Sequence, residues 1–201
     1  TSDEPISVET SRYKLVDARL QLDFYQDPHP PIVAAAVVSP SGPRIAGKHG
    51  TGLISVGATM KAGVDVLAMH WDVVEERAKE FGQTVSRDNW RVVGLMHLAE
   101  TREKAFEDVR HGFKEWCDYL QNTAAAPQIQ VSGDDFDGYI DWITNTGSAV
   151  IGTYKDAIEH IESLVELSNG GFGNYLLFDH NWSNFANKKF PKLLQLWSNN
   201  K

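Results

Sequence analysis

Apolar and polar positions along the 201-residue chain change period several times, and each change marks an element. Tyr13 to Phe24 is roughly alternating and bounded by Asp27-Pro28-His29-Pro30-Pro31. Leu20, Leu22 and Phe24 share one face there, which predicts an extended strand or arm. Ile32 to Val38 is a continuous run of small and β-branched residues, the pattern of a strand buried on both faces in a parallel sheet. Ser39-Pro40-Ser41-Gly42-Pro43 ends that run and opens a short helix to about His49. Gly50 and Gly52 break the helix, and Leu53 to Val56 reads as a second buried strand. Val64, Leu67, Trp71, Val74, Ala78 and Phe81 then recur at spacings of 3 and 4, an amphipathic helical stripe stopped by Gly82. Trp90 to Leu98 is an apolar strand. Ala99-Glu100-Thr101 opens a further helix with Ala105, Val109, Phe113, Trp116 and Leu120 on one side.

From Gln121 to Ser148 the pattern weakens into a long excursion, with a helical turn near Tyr139 to Ile143. Excursions of this length in compact domains are functional lids or disordered segments, and a lid is the expectation for 121–148. Ala149 to Gly152 returns to the core. Thr153 with Asp156 three residues on forms a capping pair for a helix that carries Ile158, Ile161, Leu164 and Val165 on one face. Gly170-Gly171 stops it, Tyr175 to Phe178 is a last strand, and a terminal helix runs toward Trp197. Strand and helix thus alternate about four times, which predicts an α/β fold of parallel strands with outer helices. An eight-fold barrel takes about 250 residues. Residues 1–201, read as a single domain, therefore form an open sheet or half of something larger.

Composition narrows the function classes. Hydrophobic residues make up 42% of the chain and six Trp are present, enough for a packed core. The net charge of −8 and pI near 5.3 argue against chain-wide attraction to nucleic acid or an anionic membrane. The single Cys117 forms no internal disulfide and fits a cytoplasmic, reducing setting. The opening Thr-Ser-Asp-Glu-Pro lacks an initiator Met and predicts a chain entered partway.

Several chemical motifs fail on inspection. Gly47-Lys48-His49 lacks the remainder of a Walker A loop, and Gly171-Phe172-Gly173 lacks the third glycine of a dinucleotide fingerprint. Asp135-Phe136-Asp137-Gly138 places its glycine too early for a calcium loop. The seven His do not pair at i, i+4, so no metal site is expected. Cys117 reads as a half-buried helix residue, and His97 as a rim or core histidine within its strand. Phe178-Asp179-His180-Asn181-Trp182 falls at the far end of the last strand. The segment that stands out is Ser39-Pro40-Ser41-Gly42, between the C-terminal end of a buried strand and the start of a helix. Backbone N–H groups, two hydroxyls and the helix dipole suit a phosphate there. The same residues also make an ordinary turn and helix cap. Gly170-Gly171-Phe172-Gly173 reads first as a helix stop before a strand.

Taken together, these segments resemble the bacterial-luciferase-like flavin-dependent monooxygenases, especially the limonene-monooxygenase-like branch. The resemblance rests on Pro30 to Ala36, Ser39 to Gly50 and Gly52 to Thr59. It continues in His97 to Thr101, Val150 to Thr153, Ser168 to Gly173 and His180-Asn181-Trp182. It implies the C-terminal half of a (β/α)8 TIM barrel, from about the fifth strand onward. It also implies reduced FMN, supplied by a separate flavin reductase, that reacts with O2 to oxygenate a small organic substrate. By the same resemblance, Ser39, Pro40, Ser41 and Gly42 hold the FMN phosphate, and Ser55 and Gly57 lie on the flavin side. The family's catalytic His and phosphate-binding Arg belong to the other half, so the catalytic residues here are unknown. The partner expectations are a homo-oligomer or completion by an N-terminal half. Two alternatives stand beside this reading: a non-catalytic flavin-binding or partner subunit, and a deazaflavin-dependent oxidoreductase.

Overall fold

The computed structural model describes residues 4–19, 21–22, 24–27, 29–56, 61–122, 133, 135–147 and 149–178. They divide into two compact units, one up to Ile32 and one from Val33 onward. In the first, β1 (Ile6–Glu9) and β2 (Lys14–Ala18) form an antiparallel hairpin. Thr10 shapes its turn: the hydroxyl accepts from the backbone N–H of Arg12 (3.2 Å) and Tyr13 (3.0 Å). The alternating stretch from Tyr13 to Phe24 is therefore a strand only over its first part, and its partner is a strand the alternation did not reveal.

The second unit is built on a parallel sheet of β3 (Val33–Ala36), β4 (Gly52–Val56), β5 (Trp90–Leu98), β6 (Val150–Gly152) and β7 (Asn174–Phe178). β3, β4 and β5 are neighbours in chain order. β5 then carries two more strands, β7 along Arg91–Leu95 and β6 along Met96–Leu98. β6 has only three residues, so most of β5 remains available to β7. The helices are α1 (Ser41–His49), α2 (Lys61–Val64), α3 (Leu67–Glu80), α4 (Arg102–Val109), α5 (Phe113–Asn122), α6 (Phe136–Thr146) and α7 (Tyr154–Leu167). This is the expected α/β order of parallel strands and packed helices.

Every second strand residue faces the helices. Ala36, Leu53, Trp90 and Val92 meet Ala46 of α1, Leu67, Trp71 and Val74 of α3, and Leu164 of α7 in one buried cluster. Each fully buried side chain of Leu or Val size contributes about 1.5–3 kcal/mol. Trp71 stacks on Trp90 with ring centroids 5.2 Å apart. A second cluster joins Phe113 and Cys117 of α5 to Ile140 and Ile143 of α6. Cys117, expected to be half-buried, is fully buried there, and burial pushes its thiol up to about 11.

The helical stretches differ in detail from the periodicity. The stripe from Val64 to Phe81 is two helices, parted at Asp65-Val66, and the stretch from Arg102 to Asn122 breaks at Arg110 to Gly112. α6 is longer than the single turn expected near Tyr139. The Asp135 carboxylate accepts from the Gly138 N–H (2.9 Å) at its start, and Phe136, Ile140 and Ile143 give it an apolar face. The expected helix near Trp197 lies outside the described residues.

Candidate functional site

β3, β4, β5 and β6 run parallel, so the segments that follow them gather at one edge of the sheet. That edge is where α/β folds place ligands. Ser39 to Gly42 lies there, between β3 and α1. Pro40 is the residue before the helix and gives it no side-chain cap. Instead the Ser39 hydroxyl accepts from the Ser41 N–H (3.2 Å), and the Ser39 and Ser41 hydroxyls lie 2.8 Å apart. Both side chains are exposed. Pro43 has no N–H, and the Arg44 N–H is bonded to the Pro40 carbonyl (3.0 Å). The first turn of α1 carries no acidic residue, and its Arg44 side chain is exposed. Two hydroxyls, the amide of Gly42 and one guanidinium within a single turn suit a doubly charged phosphate.

Gly42 has a different task from its neighbours. It is buried, and a Cβ on it would collide with the Ala35 carbonyl oxygen of β3. Its missing side chain lets α1 lie directly on the strand, which sets the height of the whole turn.

Ser55 stands apart from that turn in its bonding. It is 2% exposed, and its hydroxyl is taken up by the Trp90 indole N–H (3.0 Å) and by His70 Nδ1 (3.1 Å). Leu53 and Ser55 share the helix-facing side of β4, so Ser55 belongs to the support behind the sheet. Gly57 lies outside the described residues. His70, which the sequence reading did not single out, is fully buried, and burial lowers its pKa against the weaker opposing effect of the Val38 carbonyl.

Further polar groups line the same edge after β5 and β6. The Asp156 carboxylate accepts from the Thr153 N–H (2.7 Å) and hydroxyl (2.8 Å), the capping pair expected at the start of α7. It also takes both arms of the Arg102 guanidinium, which with the Thr153 bonds holds its pKa at about 2. His97, near the end of β5, has Nε2 3.4 Å from an Asp108 carboxylate oxygen, and Asp108 also pairs with Lys104. Hydrogen bonding from Lys104 is the main reason the Asp108 pKa is lowered.

The glycine-rich segment lies at the other edge. Arg87, just before β5, donates to the carbonyls of Ser168 (3.2 Å), Asn169 (3.1 Å) and Gly171 (2.8 Å). Its guanidinium also sits over Trp71 and Trp90. Gly170 and Gly171 have φ of 126° and 82°, conformations that side chains rarely adopt. The segment is a helix stop clamped by an arginine, at the end of the sheet remote from Ser39. Among the described residues no group of His, Cys, Asp and Glu could hold a metal ion. No helix among them is long and apolar enough to cross a membrane.

Parallel strands with packed helices are also the fold of the solved structures this chain matches. It superposes with a TM-score of 0.59 and 22% identity on the oxygenating constituent of 3,6-diketocamphane monooxygenase from Pseudomonas putida, solved with FMN. That match covers 96% of this chain and 55% of the other. A second, the coenzyme F420 dependent tetrahydromethanopterin reductase of Methanopyrus kandleri, gives 0.61 at 18% identity over 95% of this chain and 59% of that one. No model of a known protein family matches. In sequence, the chain is 42% identical over 184 residues to limonene 1,2-monooxygenase of Rhodococcus erythropolis, covering 90% of this chain and 45% of the relative. In sequence the chain is thus similar to curated monooxygenases, and it spans about half the length of the relatives it matches.

Proposed function

We propose that this chain is the phosphate-anchoring, C-terminal portion of an FMN-dependent monooxygenase of the luciferase-like class. The observation that carries the reading is the exposed Ser39–Ser41 hydroxyl pair at the start of α1, in a chain 42% identical to limonene 1,2-monooxygenase. Reduced FMN, when bound, would supply electrons to O2 for oxygenation of a small organic substrate. The chain's own part is to bind and orient. Ser39 and Ser41 present their hydroxyls to phosphate oxygens, the Gly42 amide faces the same charge, and Arg44 balances it. Pro40 fixes the backbone between the two hydroxyls. The lid expected at 121–148, of which 123–132, 134 and 148 lie outside the described residues, belongs to this reading as the cover over the site. A separate reductase, a cytoplasmic setting, and a homo-oligomer or an N-terminal half that completes the barrel belong to the same reading.

The test compares FMN with riboflavin, which has no phosphate. Ser39→Ala combined with Ser41→Ala should weaken FMN binding about 10- to 100-fold, as lost charge-assisted hydrogen bonds do. Riboflavin affinity should barely change. Equal losses for both ligands would remove the phosphate assignment.

A second reading is favoured by the coenzyme F420 dependent reductase among the structural matches. Titration with that deazaflavin separates the two cofactors. Tight FMN binding with no O2 uptake in the presence of a reductase and NADH would favour a non-catalytic flavin-binding subunit.

A further inference from the structure

We propose that the exposed flank of α7 is a docking surface for the chain's own residues 180–201, which place lysines against its row of glutamates and apolar side chains against the stripe beside that row.

Tyr154, Ile158 and Val165 recur along α7 at spacings of 4 and 7, which puts them on one flank of the helix. Tyr154 and Val165 are 40% and 41% exposed. Glu159, Glu162 and Glu166 form a row next to that flank, and all three are exposed. Glu159 faces Lys155 at 3.9 Å, whereas Glu162 and Glu166 meet no cation among the described residues. The carbonyl end of a helix carries partial negative charge and favours cations. The last turn of α7 nevertheless holds Glu166 and no basic residue. An apolar stripe bordered by uncompensated negative charge fits an occupant that is both apolar and basic.

The chain carries such a segment. From His180 to Lys201 it holds Lys188, Lys189, Lys192 and Lys201 and no Asp or Glu, in a protein of net charge −8. Phe190, Leu194 and Trp197 recur there at spacings of 4 and 3. Residues 179–201 lie outside the described residues and follow directly on β7. β7 adjoins α7, because the Tyr175 ring meets the His160 ring edge to face at 6.3 Å between centroids. The 14 residues of α7 span about 21 Å. A stretch from Asp179 to Lys188 reaches about 33 Å when extended, so the lysines can lie along any part of the helix. The α7 face of a second copy would set glutamates against glutamates, and like charges repel.

The test is a charge-swap cycle read by urea unfolding at low salt. Lys188→Glu with Lys189→Glu and Lys192→Glu should lower the folding equilibrium constant about tenfold. In a protein already carrying Glu162→Lys and Glu166→Lys, the same reversal should raise it instead. Both effects should fade at 1 M salt, where the screening length is about 3 Å. Equal effects in the two backgrounds overturn the proposal. A spin label on Lys155→Cys then reads the position of the segment, since Cys117 is buried and escapes labelling. Amide signals of residues 188–197 should broaden within one chain, and signals at full intensity sink the proposal. Broadening that passes from spin-labelled copies to separate isotope-labelled copies would assign the surface to a second chain and overturn it as well.

Discussion

Gly42 and Ser55 show how a residue type can be read from sequence while its task cannot. A glycine in a polar turn suggests close approach to a ligand. Here the close approach is to the Ala35 carbonyl of the strand behind. Gly42→Ala should accordingly cost about 1–3 kcal/mol in denaturant unfolding, through a forced shift of α1. Ser41→Ala, on an exposed side chain, should stay within about 0.5 kcal/mol. Asp156 gives a pH prediction with a definite sign. Its folded pKa of about 2 lies below the usual carboxylate range, so its contribution is present above pH 4 and disappears as pH falls from about 4 to 2. Arg102 is largely exposed, so solvent screens the pair and the pH effect is small. Asp156→Asn should flatten that part of the stability–pH curve and leave the neutral-pH slope unchanged, as measured by urea unfolding at several pH values.

At the level of elements, the Arg87 clamp ties the approach to β5 to the turn before β7. Arg87→Ala removes three hydrogen bonds to carbonyls and the guanidinium over two indoles, and should lower unfolding free energy by about 2–4 kcal/mol. Arg87→Lys should recover little, because an ammonium cannot fork to several carbonyls while lying flat on Trp71. A lysine variant as stable as the original would show that charge alone matters there. α5 and α6 pack on each other in a cluster separate from the one that holds α1, α3 and β5. Their amides should exchange faster than those of α3 in native-state hydrogen exchange. Continuous apolar runs made β3, β4 and β5 legible, turn residues and glycines framed α1, and helical spacing with a capping pair marked α7. Periodicity hid α6, whose apolar residues follow the turn-like Ser132-Gly133-Asp134-Asp135, although Asp135 is its cap. The split between α4 and α5 was also invisible, since Ala105, Val109 and Phe113 keep helical spacing across it.

On the scale of the whole molecule, the strand faces turned away from the helices carry Ala35, Ile54, Val56, Val93, Leu95 and Leu176, and Val56 and Leu176 are 37% and 41% exposed. An apolar face of this kind binds hydrophobic dyes. Val56→Glu should reduce such fluorescence with little change in melting temperature; unchanged dye binding would place the apolar surface elsewhere. The polar turn after β3 stood out in the sequence because Ser39, Pro40, Ser41 and Gly42 fall together there. The hydrogen-bonded group behind the sheet did not, because His70, Ser55 and Trp90 are far apart along the chain and meet only when α3 lies across β4 and β5. Alternation from Leu53 does place Ser55 on the helix side, a signal available in the sequence once the core face of β4 is assigned.

Among the described residues of the second unit, β5 is the one strand that pairs with three others: β4, β6 and β7. Its register with β4 closes a segment of some forty residues, whereas its register with β7 joins Arg91 to Asn174 across the whole of α4 to α7. Loop closure makes the second pairing slower and later than the first. Refolding should therefore proceed outward from β4 and β5, with β7 the last strand to dock and the first to leave.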